Sequence, residues 1–391
     1  MMKKSIRIAI YFATTLTLAS TGGMSVIAEN ISLDIFDLPS ANHTVVAEGQ
    51  GYFPVLNQAG GRLFAIFRAG GGHINIGGDL VGAWSDENGL QWFPPTPIVS
   101  SIYDDRNPAV GITPTKRIVL GYHEQASYNE EGKWDPSLKR ARGMYTWSDD
   151  DGATWNQPKP FGVPGLESGS PYGRVVSGTD GVLLMNIYGP FTDKIPGMAK
   201  IRQDREDYAY LIRSQDNGAT WGDPSLITEG HNETTLLPLS SRRILAAARS
   251  TGMQRVDVCM SEDGGRVWSS PLRITGQSQH PADLLRLSNG WILLAYGDRS
   301  VEAKMIHGVI TRDEGRSWDI NNDIILSRPV RGDFGYPSAV LTPNGKIAVM
   351  YYCAGDAKDY YDGSKALAYM NLFNEADFIN AYTNLFLGGA K

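Results

Sequence analysis

The chain is organised as short apolar runs separated by turn residues. Arg62-Leu-Phe-Ala-Ile-Phe67, Tyr208-Ala-Tyr-Leu-Ile-Arg213 and Trp291-Ile-Leu-Leu-Ala-Tyr296 have strand length and strand composition, and Ala59-Gly60-Gly61, Asp180-Gly181, Ser288-Asn289-Gly290 and Pro343-Asn344-Gly345 connect such runs. Branched and aromatic residues between Gly-containing dipeptides predict β-hairpins. A second regularity is the motif Ser/Thr-x-Asp-x-Gly-x-x-Trp. It occurs at Ser148-Asp150-Gly152-Trp155, Ser214-Asp216-Gly218-Trp221, Ser261-Asp263-Gly265-Trp268 and Thr311-Asp313-Gly315-Trp318, with a degenerate first copy at Ser85-Glu87-Gly89-Trp92. Gly permits the positive φ of a turn, the Ser and Asp side chains bond its free N–H groups, and Trp packs over the strands. The motif is therefore a folding device, because carboxylates committed to turn N–H groups are not free for chemistry.

Between these boxes a strand opens repeatedly on a polar or aromatic residue. The openings are Tyr52-Phe-Pro-Val-Leu, Arg106-Asn-Pro-Ala-Val, Tyr172-Gly-Arg-Val-Val, Glu233-Thr-Thr-Leu-Leu, His280-Pro-Ala-Asp-Leu-Leu and Tyr336-Pro-Ser-Ala-Val-Leu. A unit of short strands recurring every fifty to sixty residues or so predicts an all-β, six-bladed β-propeller with Asp-box hairpins, closed by strands from the two chain ends. The openings then converge on a central mouth, the default site.

Composition agrees with a large packed fold: of 391 residues, 42% are hydrophobic and 20% charged. The formal charge of −6 and the lack of a basic run argue against a nucleic-acid partner. Residues 1–28 read as a signal peptide, with Lys3, Lys4 and Arg7 before an apolar stretch too short to span a bilayer and Val26-Ile27-Ala28 before a cut after Ala28. Residues 29–391 are then a single domain of a secreted or periplasmic protein without a membrane span. Cys259 and Cys353 are too few for a disulfide framework; they are buried thiols or one bridge. No HExxH pair, Cys/His cluster, EF-hand loop, phosphate-binding Gly loop or GxSxG element occurs, so neither a catalytic metal nor a cofactor is expected.

The Asp boxes and the strand openings resemble the sialidase (neuraminidase) family, whose members are six-bladed propellers, over nearly all of the chain after the leader. The segment Asn232-Glu233 to Arg249 is similar to the one in which sialidases carry a catalytic Glu and, sixteen residues on, a carboxylate-binding Arg. Gly335-Tyr336-Pro337 is similar to the opening that carries their nucleophilic Tyr. The resemblance implies Tyr336 as nucleophile, Glu233 as its base, and Asp79, in the loop after the second strand of the first blade, as acid. A neutral phenol suits an anomeric carbon that bears a carboxylate, because a carboxylate nucleophile would meet like charge. The competing readings are a packed strand aromatic, a hairpin acid and a solvated loop residue.

The family binds the substrate carboxylate through three arginines, whose planar forks match two oxygens. Arg249 matches one and Arg299, in Tyr296-Gly-Asp-Arg299, is a second candidate. Where the family reads Tyr/Phe-Arg-Ile-Pro, this chain reads Tyr52-Phe53-Pro54-Val55, so the first arginine is absent. Arg68 and Arg106 are the candidates to replace it, with a salt bridge to Asp104 or Asp105 as the alternative for Arg106. His123, Glu124 and His280 add polar groups for sugar hydroxyls. The resemblance thus implies an exported, exo-acting, retaining glycoside hydrolase that releases sialic acid or a related acidic sugar from a glycan partner. Two alternatives stand beside it: a polysaccharide lyase using His123 or Tyr336 as base with Arg106 or Arg249, and a non-catalytic glycan-binding propeller.

Overall fold

The computed structural model describes residues 31–388 apart from 60, 87–88, 179, 196–197, 199–206, 301–303 and 356–359. The leader lies outside the described residues, as does Glu87 of the first Asp box. Nearly all regular structure is antiparallel strand. The first meander runs through Tyr52–Ala59, Arg62–Ala69, Asp79–Trp84 and Thr96–Val99. The pattern repeats from the inner strands Asp104–Ile112, Ser170–Ser177, His231–Pro238, Gln279–Arg286 and Phe334–Leu341, so six meanders can be traced in the described residues. The second and third share one eight-stranded sheet, because their inner strands pair in parallel through Gly173–Ala109 and Arg174–Val110. Each inner strand packs against the next and the last packs against the first, which closes the ring of a propeller.

Both ends of the chain take part in closure. Asn42–Glu48 pairs antiparallel with Leu367–Asn374 to complete the sixth blade, and Ser32–Asp34 adds a parallel outer strand to the fifth through Asp323–Ile325. One element has no counterpart in the sequence reading: the helix Glu375–Tyr382, which buries Phe378 and Tyr382 and accepts a bond from Ser288 N on Glu375 at 2.6 Å. Apolar residues between neighbouring blades form the core, as where Phe64, Ile66 and Leu80 meet Val110, Ile118 and Leu120. Fully burying a side chain of this size contributes about 1.5–3 kcal/mol. Cys259 and Cys353 are both buried thiols, not joined in a disulfide.

The Asp boxes perform the local task their residues dictate. In the second copy Ser148 Oγ accepts from Gly152 N at 2.9 Å and Asp150 Oδ1 from Thr154 N at 2.8 Å; the copies at Ser214, Ser261 and Thr311 repeat both bonds. In the first box Asp86 Oδ1 accepts from Leu90 N at 2.9 Å, so the turn-holding carboxylate stands one position earlier than the motif register implies.

The inner strands matter most for function. Each slips its register near its start, between Tyr52 and Val55, Arg106 and Ala109, Tyr172 and Val175, His231 and Thr234, Gln279 and Ala282, and Gly335 and Ser338. Such bulges bend a strand and re-aim its side chains. Phe53, Asn107, Gly173 and Tyr336 occupy the kink with φ of 54°, 52°, 75° and 53°. Below them Arg174 crosses the axis, donating to Leu56 O at 2.7 Å, Asp283 Oδ2 at 2.8 Å, Ser338 Oγ at 3.1 Å and Ala339 O at 2.5 Å. A small cavity is lined by Phe53, Asn107, Tyr172, Asp283 and Tyr336.

Candidate active site

At the mouth the fourth and sixth blades bring Glu233 and Tyr336 together. The Tyr336 hydroxyl donates to Glu233 Oε1 at 2.5 Å, and Arg249 Nη1 donates to Glu233 Oε2 at 2.6 Å. Asn232 Oδ1 accepts from the Glu233 amide at 2.8 Å and so fixes the backbone on which the carboxylate stands. Tyr336 and Glu233 are 7% and 4% exposed, dry enough for these bonds to be strong. Burial pushes the Tyr336 phenol well above its ordinary value; the Glu233 carboxylate adds to this and Arg249 opposes it. The phenol is therefore neutral, with its proton aimed at a carboxylate.

Arg249 uses Nη2 on Gln254 Oε1 at 2.8 Å, while its buried Nε has no partner among the described residues. Arg106 stands at the second-blade side of Tyr336, 5.3 Å over the Phe53 ring and 3.3 Å from Asp104 Oδ2. Each guanidinium is held in its charged form chiefly by a carboxylate, Arg106 by Asp104 and Arg249 by Glu233.

The other two arginines are spent on architecture. Arg68, wholly buried, donates from Nε to Asp104 Oδ1 at 2.7 Å, from Nη2 to Asn75 O at 2.9 Å and from Nη1 to Gly72 O. With every guanidinium nitrogen engaged, it does not take the place of the missing first-blade arginine. Arg299 donates to the carbonyls of His280 and Phe334 and so ties the fifth blade to the sixth. Its fork is occupied by backbone at the openings of these two inner strands.

His280 lies beside Arg249 and Arg299; burial first, then those two cations, push its imidazole down to about 2, so it is neutral, and its buried Nδ1 has no partner among the described residues. His123 is likewise neutral, pushed down to about 4 by burial and then by Arg106, with Nε2 unpartnered among the described residues. Glu124, by contrast, pairs with Arg142 at 2.5 Å. Asp79 opens its strand with its backbone paired to Ala69, and it adds like charge to Asp105. Among the described residues no hydrogen bond joins Asp79 to Tyr336 or Glu233.

The structure adds residues that the sequence reading did not single out. Asn107 stands at the kink equivalent to Tyr336 and donates to Ser170 Oγ at 3.0 Å and Tyr188 Oη at 2.9 Å, leaving its buried Oδ1 without a partner among the described residues. The Tyr172 and Tyr352 rings lie 5.9 and 5.8 Å from that of Tyr336. His73 Nδ1 is 2.5 Å from Asp333 Oδ2. The positions Asn107 and Tyr336 share a legible signal, a residue before Pro at a strand opening; the partners of His73 and Asp333 had none.

A ring of antiparallel blades with Asp-box hairpins and a polar mouth at the inner-strand openings defines a propeller of the sialidase type. Residues 61–349 match the model of the BNR repeat-like domain, and the chain belongs to that family. No curated protein matches it by sequence. Among solved structures it is similar to a protein of unknown function from Dyadobacter fermentans, at 21% identity and a TM-score of 0.69 over 86% of this chain and 100% of that one. It is also similar to the Hadza microbial sialidase Hz136, at 18% identity and a TM-score of 0.63 over 84% of this chain and 66% of that one. The intramolecular trans-sialidase from Ruminococcus gnavus, solved with oseltamivir carboxylate, gives 14% identity and a TM-score of 0.61 over 86% and 98%. At these identities the likeness is one of fold. Among the described residues no helix is long and apolar enough to cross a membrane.

Proposed function

We propose that this protein is an exported, exo-acting, retaining glycoside hydrolase that releases a terminal acidic sugar, sialic acid or a relative, from glycans. The observation that carries the reading is the Tyr336–Glu233–Arg249 chain, with bonds of 2.5 and 2.6 Å. Tyr336 attacks the anomeric carbon as its proton passes to Glu233 Oε1, and Arg249 holds the other carboxylate oxygen so that the acceptor faces the phenol. A neutral nucleophile meets no repulsion from a sugar carboxylate. Arg249, bonded to Glu233, and Arg106, over the Phe53 ring that packs on Tyr336, receive that carboxylate, and the unpaired Arg249 Nε is a donor in reserve for it. Neutral His280 and His123 and the Asn107 amide oxygen bond sugar hydroxyls. Sialidases among the proteins of like fold support the same substrate class, and the leader-like residues 1–28 support export.

Fluorophore release from a panel of acidic-sugar aryl glycosides tests this reading. The wild type is expected to turn over at least one, and Glu233→Gln to lose about 10²–10⁴-fold in kcat with the fold intact. Full activity in Glu233→Gln contradicts it.

A further inference from the structure

Retaining hydrolysis needs a proton donor for the leaving oxygen as well as a nucleophile, and the Tyr336–Glu233 pair supplies only the second. A separate group of titratable side chains stands where the first blade meets the sixth. His73 Nδ1 lies 2.5 Å from Asp333 Oδ2, and Tyr352 donates to the same oxygen at 2.6 Å. Burial raises the Asp333 carboxyl, but His73, Tyr352 and Arg299 outweigh it and hold it below the usual range, so it is an anion. A carboxylate on Nδ1 fixes the imidazole plane and leaves Nε2, on the opposite edge, as the nitrogen available for proton exchange. The His73 side chain keeps 23% of its surface exposed.

The dyad is close to the nucleophile. The His73 ring meets the Phe53 ring edge-on at 4.9 Å, and Phe53 meets Tyr336 at 4.7 Å. Glu233 approaches Tyr336 from the fourth blade, whereas His73 belongs to the first, its opposite in the ring. The loop that carries His73 is fixed on both flanks. Gly72 N and Ile74 N donate to Tyr361 O and Tyr360 O, each at 3.1 Å, and Arg68 bonds the carbonyls of Gly72 and Asn75. This gives Arg68 its purpose: it holds His73 in place.

We propose that His73, positioned by Asp333, is the catalytic acid that protonates the departing glycosidic oxygen. The assignment rests on the hydrolase reading above. As the C–O bond to the leaving group breaks, His73 Nε2 gives its proton to that oxygen; Tyr336 Oη bonds the anomeric carbon and its own proton passes to Glu233. In the second half water adds its hydroxyl to the anomeric carbon and returns its proton to His73, while Tyr336 leaves and recovers its proton from Glu233.

The test is kcat for a glycoside series running from nitrophenyl to phenyl leaving groups, on whichever acidic sugar the wild type cleaves. His73→Ala and His73→Gln are expected to slow the phenyl glycoside by about 10²–10⁴-fold and the nitrophenyl glycoside by less than about tenfold, because a good leaving group needs no proton. Asp333→Asn shifts the series in the same sense to a smaller degree, and Asp79→Asn leaves its slope unchanged. An equal effect of the His73 variants on every leaving group, no effect, or a slope carried by Asp79→Asn overturns the assignment. Tyr336→Phe, run in parallel, is expected to silence both substrates; activity there overturns the nucleophile and leaves the His73 slope to be judged separately. No turnover by the wild type overturns the hydrolase reading and this assignment with it.

Discussion

Phe53 and Tyr336 stand at equivalent kinks of the first and sixth inner strands, with φ of 54° and 53°, and their rings meet edge to face at 4.7 Å. The chain thus places an apolar ring at the kink where the sialidase pattern has an arginine. Phe53 supports the nucleophile by packing and carries Arg106 over its face. Phe53→Ala is expected to lower stability by about 3–5 kcal/mol, as truncation of a buried ring does. Denaturant unfolding measures it, and a loss below about 1 kcal/mol contradicts the packing role.

Arg68, bonded at every guanidinium nitrogen, and Arg249, with Nε unpaired among the described residues, should separate stability from binding. Arg68→Met removes the buried cation from Asp104 Oδ1 and the donor to two carbonyls, leaving the Asp104 charge to Arg106 and Tyr128, for a loss of about 3 kcal/mol. Arg249→Lys keeps the charge but loses the fork and is expected to raise KM by about tenfold or more with a smaller change in melting temperature. Steady-state kinetics beside thermal unfolding on both variants distinguishes the roles; a raised KM without destabilisation in Arg68→Met contradicts the assignment.

Asp105 gives the fold a pH signature. Its carboxyl is pushed up to about 7 by burial above all, with Glu124 and Asp79 adding like charge and two bonds from Ser101 opposing. A folded-state pKa above the unfolded value means that the folded state binds the proton more tightly. Stability from this group is complete below about pH 4, falls as pH rises to about 7, and is level beyond, with a drop of at most about 4 kcal/mol. Asp105→Asn is expected to flatten that window in unfolding measured from pH 4 to 8. An unchanged slope counts against the buried carboxyl as its source.

The sequence disclosed what local chemistry controls. An Asp box is written in eight consecutive residues because its bonds close within four or five positions, so Ser148, Asp150 and Gly152 could be assigned before any coordinates. Glu233 and Tyr336 were legible because each opens an inner strand, and a propeller brings such openings together across 103 residues. The fates of Arg68 and Arg299 were not legible, since their partners are main-chain carbonyls whose positions depend on loops and neighbouring blades. His73 and Asp333, 260 residues apart, meet only because the sixth blade closes against the first. The terminal helix was missed although Phe378 and Tyr382 share a helical face, because two apolar residues at that spacing compete with a strongly β-patterned chain.

The account turns on a covalent bond to Tyr336, and trapping that bond is its most direct test. An acidic-sugar glycoside with a good leaving group and a fluorine beside the anomeric carbon forms the glycosyl-enzyme faster than water removes it. Mass spectrometry of a digest is predicted to find the peptide containing Tyr336 heavier by one sugar, and to find no such peptide from Tyr336→Phe. A sugar carried on any other residue, or hydrolysis of the unfluorinated glycoside with no trappable adduct, would contradict the mechanism.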